Sequence, residues 1–265
     1  MSLYKFHAFN ENSVSALEAY SAWFSKPTSF NDPFEGLYKE IVSPLNDEQM
    51  TEMRRYLCDL EPSIKDVMLN SEYANDETMA KALATVAMET FRSQQNNFYE
   101  SGICCFISDE KVIPYEEPLM WGHYGNGLKG YILQFDNDLD NIFEDEKLGA
   151  IHVEYNAEPP TIYCHELLRQ QLKTGSSADE LIKVITTKSK EWEYENEIRF
   201  MSFKNGNKLF KYKQGAIKSI IVGSKMPQWQ KMAIKAIAER HQISDIQEAF
   251  AKDDSYKVGL RALSL

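Results

Sequence analysis

The densest group of ionisable side chains set among apolar ones runs from Lys188 through Glu191, Glu193, Glu195 and Glu197 to Arg199, interleaved with Trp192, Tyr194, Ile198 and Phe200. If a strand begins by Tyr194, its period of two puts Glu195, Glu197 and Arg199 on one face, each about 7 Å from the next. A guanidinium held near two carboxylates would keep them ionised and oriented. A strand edge dotted with charge shows the same alternation. In either case Tyr194, Ile198 and Phe200 supply the buried face.

Two other places combine reactive residue types with unusual backbone. Trp121, His123 and Tyr124 lead into Gly125-Asn126-Gly127-Leu128-Lys129-Gly130. These glycines match G-x-G-x-x-G, but the dinucleotide fingerprint needs a strand before them and a helix after. Here a helical turn leads in and a strand leads out, so the segment reads as a glycine turn able to show backbone N–H groups to an anion. In Phe30-Asn31-Asp32-Pro33-Phe34-Glu35, Asp before Pro and Glu three residues on make a capping box for a helix starting at Pro33. A functional reading instead has Asn31 and Asp32 facing a cleft. Of the five histidines, His123 has the most suggestive neighbours.

Metal and redox chemistry have little to build on. Cys58, Cys104, Cys105 and Cys164 show no C-x-x-C spacing, which predicts reduced, mostly buried thiols, with Cys104 and Cys105 on opposite faces of one strand. Cys164 and His165 lack a second ligand pair. Asp136-x-Asp138-x-Asp140 begins like a calcium loop, yet Asn141 and Lys147 stand where glycine and glutamate are needed. No resident metal is expected. A nuclease-like reading, with Asp32, Glu35, Glu195 and Glu197 around a divalent ion, remains a third option.

The elements that must position these residues follow from periodicity. Leu3 to His7 alternates, with Lys5 and His7 on one strand face and Tyr4 and Phe6 on the other. A helix is expected over 12–20 and a strand over 22–25. Helical spacing covers 46–60 and 75–99, with a polar join at Asn70-Ser71-Glu72-Tyr73. Gly102 to Ile107 reads as an interior strand, and 131–135 as another. Further strands are expected near 149–155, 196–203, 208–212, 217–222, 244–249 and 256–264, with helices near 165–172, 178–191 and 227–240. The mixture is not strict βα alternation, so the expected fold is α+β. It would be a mixed, largely antiparallel sheet with packed helices in a single domain over 1–265, carrying a mostly helical insertion at about 44–100.

Composition bounds the rest. The chain has 265 residues, 43% of them apolar and 12% aromatic, which suits an ordinary globular core. Its 29 basic and 40 acidic residues give a net charge of −11, the wrong sign for sequence-independent nucleic-acid binding. No apolar run spans a bilayer and no secretory pattern opens the chain, so a cytoplasmic location without a membrane partner is expected.

Taken together, several segments resemble the bacterial family catalogued as domain of unknown function 2971. They are Leu3-Tyr4-Lys5-Phe6, Trp23-Phe24-Ser25 through Pro27 to Phe30-Asn31-Asp32-Pro33-Phe34-Glu35, Cys105-Phe106-Ile107-Ser108, Met120-Trp121-x-His123-Tyr124 with Lys129-Gly130, and Lys188 with Trp192, Glu195, Glu197 and Arg199. The resemblance supplies no reaction; it leaves a role in defence against phage open. In outline, the opening strand–helix–strand unit with its basic residue and the late Glu-x-Glu strand are also similar to the ADP-ribosyltransferase fold. That likeness implies NAD as the ligand, His7 on the ribose, Glu197 as the catalytic carboxylate and Glu195 as its companion. The expected function is therefore a nucleotide- or NAD-handling enzyme. The competing expectation is a non-catalytic module, with Asn31, Asp32, Trp121, His123 and Tyr124 lining a pocket for a ligand or partner.

Overall fold

The computed structural model describes residues 2–41, 46–60, 76–175 and 178–264. In chain order the strands are β1 (Ser2–His7), β2 (Ser21–Phe24), β3 (Lys39–Ile41), β4 (Gly102–Ser108), β5 (Tyr131–Asp136), β6 (Gly149–His152) and β7 (Glu154–Asn156). They continue with β8 (Thr161–Tyr163), β9 (Thr187–Ser189), β10 (Glu197–Ser202), β11 (Lys208–Lys211), β12 (Ile217–Gly223), β13 (Asp245–Ala251) and β14 (Val258–Ala262). The α-helices are α1 (Glu11–Glu18), α2 (Asp47–Leu60), α3 (Asp76–Tyr99), α4 (Pro118–His123), α5 (Cys164–Thr174), α6 (Ala178–Ile185) and α7 (Gln228–Arg240). The chain divides into two units: residues 1–30, 100–153 and 191–265, and residues 31–99 and 154–190.

The first unit is organised by an eight-stranded sheet in the order β14-β13-β12-β5-β1-β4-β10-β6. Only β12 and β13 run parallel; the other neighbours are antiparallel. A parallel pair needs a crossover, and α7 supplies it. The fold is thus α+β with a mixed, mostly antiparallel sheet.

Alternation along each strand divides the buried side chains into two clusters. Leu3, Cys104, Phe106, Tyr131, Leu133, Phe135, Ile198, Phe200, Ile220 and Val222 face one side, where Leu17 of α1 and Ile234 and Ile237 of α7 cover them. Tyr4, Phe6, Ile107, Ile132 and Ile221 face the other, against Met120 and Trp121 of α4. Ile198 and Phe200 are buried as expected, but Tyr194 packs with the second cluster, not with them.

In the second unit α5 packs against α2 and α3, and Phe91, Ile162, Leu167, Leu168 and Val184 form its core. Two short parallel pairs, β3 with β8 and β7 with β9, complete it. The polar join at Asn70 to Tyr73, and part of the helical stretch expected over 44–100, lie outside the described residues.

Two expectations are corrected. The helix near 178–191 stops at Ile185, because the Thr186 and Thr187 hydroxyls turn back to the carbonyls of Ile182 and Lys183 (2.8 and 2.6 Å) and the chain leaves as β9. At Asp32 no helix follows. Its carboxylate accepts from the Phe34 N–H (2.9 Å), and a run of turns replaces the expected capped helix. The same Asx chemistry that caps a helix also closes an isolated turn.

Candidate functional site

The face of the sheet that carries Trp121 also carries the predicted charges. Strand β10 begins at Glu197, not at Tyr194: residues 190–195 form a 3-10 turn and Asn196 takes a left-handed φ of 42°. Glu195 therefore ends the turn, while Glu197 and Arg199 sit two apart on the strand. Their side chains meet, Arg199 Nε donating to Glu197 Oε1 at 2.8 Å, with 1% and 4% of their side chains exposed. The Arg199 guanidinium also stands 5.6 Å over the Phe30 ring, a placement that offsets part of its desolvation.

Cys105 joins this pair. It is the register partner of Arg199 on β4, and its thiol hydrogen-bonds the Glu197 carboxylate; burial first and that carboxylate second push its pKa well up. As expected, Cys104 points the other way, into the opposite cluster. Cys104, Cys105 and Cys164 are all free thiols.

The buried Glu195 accepts a 2.5 Å hydrogen bond from the Tyr124 hydroxyl. A carboxylate acceptor makes this one of the stronger bonds available to a neutral donor. Aromatic rings extend from there: His123 lies 6.2 Å from Tyr124 and 5.6 Å from Trp192, and Trp192 lies 6.1 Å from Tyr194. His123 is exposed and Trp192 and Tyr124 are half-buried, so this array ends at solvent. Trp121 is buried beneath, its indole N–H donating to the Tyr115 carbonyl at 2.9 Å.

The segment 125–130 is a glycine turn between a helix and a strand, as read from the sequence. Asn126, Gly127 and Leu128 all have positive φ (49°, 63° and 68°). Gly130 is required by close approach, since a Cβ there would lie 2.1 Å from the His7 carbonyl oxygen.

His7 is not brought to this face. Tyr4 is in register with Ile107, and Ile107 with Glu197, so these three side chains share a face. His7 is an odd number of residues from Tyr4 and points to the other side, where its ring stacks on Tyr131 at 5.0 Å. Its Nε2 is buried without a hydrogen-bond partner. Burial and the nearby Lys5 ammonium hold its pKa down at about 3. Asn31, exposed, and Asp32, buried, belong to the second unit. Among the described residues no three His, Cys, Asp or Glu side chains are grouped as a metal site requires, which leaves the divalent-metal reading without a ligand set there.

Sequence reasoning singled out Tyr124, Glu195, Glu197 and Arg199 but gave no role to Cys105, Phe30 or Trp192. All three stood in the segments that carried the resemblance. Cys105 depended on the β4–β10 register, which no local signal announces.

The first unit thus defines an α+β protein whose sheet buries an acid–base pair beside an aromatic surface. Residues 120–200 match the model of the family described as Protein of unknown function (DUF2971). No curated protein and no solved structure matches the chain. Among the described residues no helix is long and apolar enough to cross a membrane.

Proposed function

We propose that the chain is a binding module for a nucleotide-like ligand, recognised on the surface formed by His123, Tyr124 and Trp192. The observation that carries this reading is the Tyr124–Glu195 hydrogen bond at the foot of an aromatic array that reaches solvent. A planar nitrogenous ring gains stacking from half-exposed Trp192 and His123. Glu195 fixes the phenol that borders it. Glu197 is engaged by Arg199 and by the Cys105 thiol, which suits a scaffold holding the β10 end of the site in place.

The transferase reading, with an ADP-ribosyltransferase-like core acting on NAD, retains Glu195 and Glu197 but needs a ribose-binding group other than His7. Its signature would be release of nicotinamide. One experiment separates the two: thermal unfolding with AMP, ATP and NAD, for the wild type and Trp192→Ala, alongside a nicotinamide-release assay. A nucleotide at 100 times its Kd adds about 2.7 kcal/mol, and a chain of this size shifts about 2–4 °C per kcal/mol. A clear shift that Trp192→Ala removes, without nicotinamide release, is the expected result. No shift with any nucleotide, or an equal shift in the variant, would sink the proposal; release abolished by Glu197→Gln would replace it with the transferase.

A further inference from the structure

The net charge of −11 is unevenly spread along the chain: between Arg199 and Glu239 the sequence has eight lysines and no aspartate or glutamate. The first part of that stretch runs through the turn 203–207 into β11, which pairs with β2 in a two-stranded sheet. These residues all belong to the first unit, and the nucleotide reading above does not use them.

Three large apolar side chains stand open here. Trp23 on β2 and Leu209 on β11 are register partners, so they lie side by side on one face, 47% and 48% exposed. Phe203, in the turn, is 70% exposed. The turn is tied to β2 next to Trp23, since the Asn207 N–H donates to the Phe24 carbonyl at 2.8 Å. Phe24 and Phe210, on the opposite face, pack ring to ring at 4.4 Å against the core, which is built without Trp23 and Leu209. Large apolar side chains grouped in the open mark an interaction surface.

Lysines frame them. Lys211 is two residues from Leu209 and shares its face, Lys204 and Lys208 flank the turn, and all three are exposed. Among the described residues none of the three reaches a carboxylate; Lys208 donates to the Asn205 amide oxygen at 2.7 Å, which leaves its charge uncompensated. The acidic run Glu144 to Glu146 bounds the surface beside Lys211, where the Glu144 N–H donates to the Lys211 carbonyl at 3.0 Å.

Open rings beside uncompensated ammonium groups are complementary to a polyanion with flat apolar parts. In a single-stranded nucleic acid the bases stack on aromatic side chains while cations track the phosphates. A bilayer fits less well, because the turn between Phe203 and Lys208 is irregular backbone carrying Asn205 and Asn207, polar groups that hydrocarbon does not satisfy. An acidic peptide would answer the lysines and leave the rings unstacked.

We infer that the face formed by Trp23, Phe203 and Leu209 with Lys204, Lys208 and Lys211 is a docking surface for single-stranded nucleic acid. The rings take the bases, and the lysines take the phosphates on either side.

The test is fluorescence anisotropy of the full chain with a labelled oligothymidylate at about 50 and about 200 mM salt; three phosphate contacts make binding about 20-fold weaker at the higher salt. Trp23→Ala should weaken binding at least fivefold, and Trp23→Phe, which keeps a ring, should retain most of it. The triple variant Lys204→Gln/Lys208→Gln/Lys211→Gln should remove most of the binding and flatten the salt dependence. Trp192→Ala, on the nucleotide surface, should bind the oligonucleotide as the wild type does. No binding at the lower salt would overturn the assignment, as would equal binding by wild type, Trp23→Ala and the triple variant. So would polyglutamate or phosphatidylserine vesicles bound as tightly as the oligonucleotide, the vesicles by identifying the face as a membrane surface.

Discussion

The two faces of the eight-stranded sheet meet the same β4 and β10 strands and solve opposite problems. On one face Phe106, fully buried, has Phe135 and Phe200 at 5.1 and 5.2 Å, an apolar interior in edge-to-face contact. On the other face the row beginning at Tyr4 ends in Glu197, and Cys105 and Arg199 lie beside it. Burial on the first face is favourable without further help. On the second it is tolerable because each charge is answered by a neighbour, Glu197 by Arg199 among them, since an isolated buried charge costs several kcal/mol. A strand with Ile198 and Phe200 on one side and Glu197 and Arg199 on the other therefore divides its work: one side holds the fold, the other holds a polar arrangement in a fixed geometry.

The largest effects should come from breaking either side at its centre. Phe106→Ala is expected to cost about 3–5 kcal/mol through a core cavity. Arg199→Met should cost a similar amount for another reason, the loss of the buried cation that offsets the Glu197 carboxylate. The double variant Arg199→Met/Glu197→Leu separates the causes: in denaturant unfolding it should be more stable than Arg199→Met alone, because the buried Glu197 carboxylate is removed together with its cation. If the double variant were no more stable than the single one, the pair would be acting through packing and the contrast between the faces would collapse.

A smaller change sharpens the charged side. Tyr124→Phe keeps the ring and deletes the donor to Glu195, and should cost about 1.5–3 kcal/mol, the range for hydrogen bonds to charged groups. A loss confined to stability, with nucleotide binding intact, would mark that bond as purely structural.

The apolar side has its own weak point at His7. With a folded-state pKa of about 3 against about 6.5 in the unfolded chain, the native imidazole is neutral where the unfolded one is protonated. Stability is then full above pH 6.5 and falls as the pH drops toward 3. Between pH 6.5 and 5, before most carboxylates titrate, this contributes a loss of about 1–2 kcal/mol. His7→Phe, which preserves stacking on Tyr131, should flatten that part of the profile. An unfolding free energy in urea that is the same at the two pH values would show that His7 titrates alike in the folded and unfolded states.

The strands β1, β4, β5, β10 and β12 were all legible in the sequence, because interior strands write their burial as apolar runs or period-two alternation. So were α4 and the glycine turn, although the close approach that requires Gly130 is to the distant His7 carbonyl. The span of β10, expected near 196–203, was legible too, but the turn that precedes it was not. The 3-10 turn ending at Glu195 and the left-handed Asn196 depend on side-chain partners such as Tyr124, 71 residues away in the chain. The Asp32 segment failed in a similar way, since a capping motif states that a turn begins and leaves open whether a helix follows.

By itself the sequence determined which face of β1 each side chain takes, because strand parity is a local property: Lys5 and His7 on one side, Tyr4 and Phe6 on the other. Only the tertiary structure decided that Glu197 shares the face of Tyr4. That follows from the β1–β4 and β4–β10 registers, set by hydrogen-bond pairing and hydrophobic matching between strands about 100 and about 90 residues apart in sequence. The chain alone could name His7, Cys105, Glu197 and Arg199. The sheet put three of them together and His7 on the opposite face, because a one-residue difference in parity inverts the direction of a side chain.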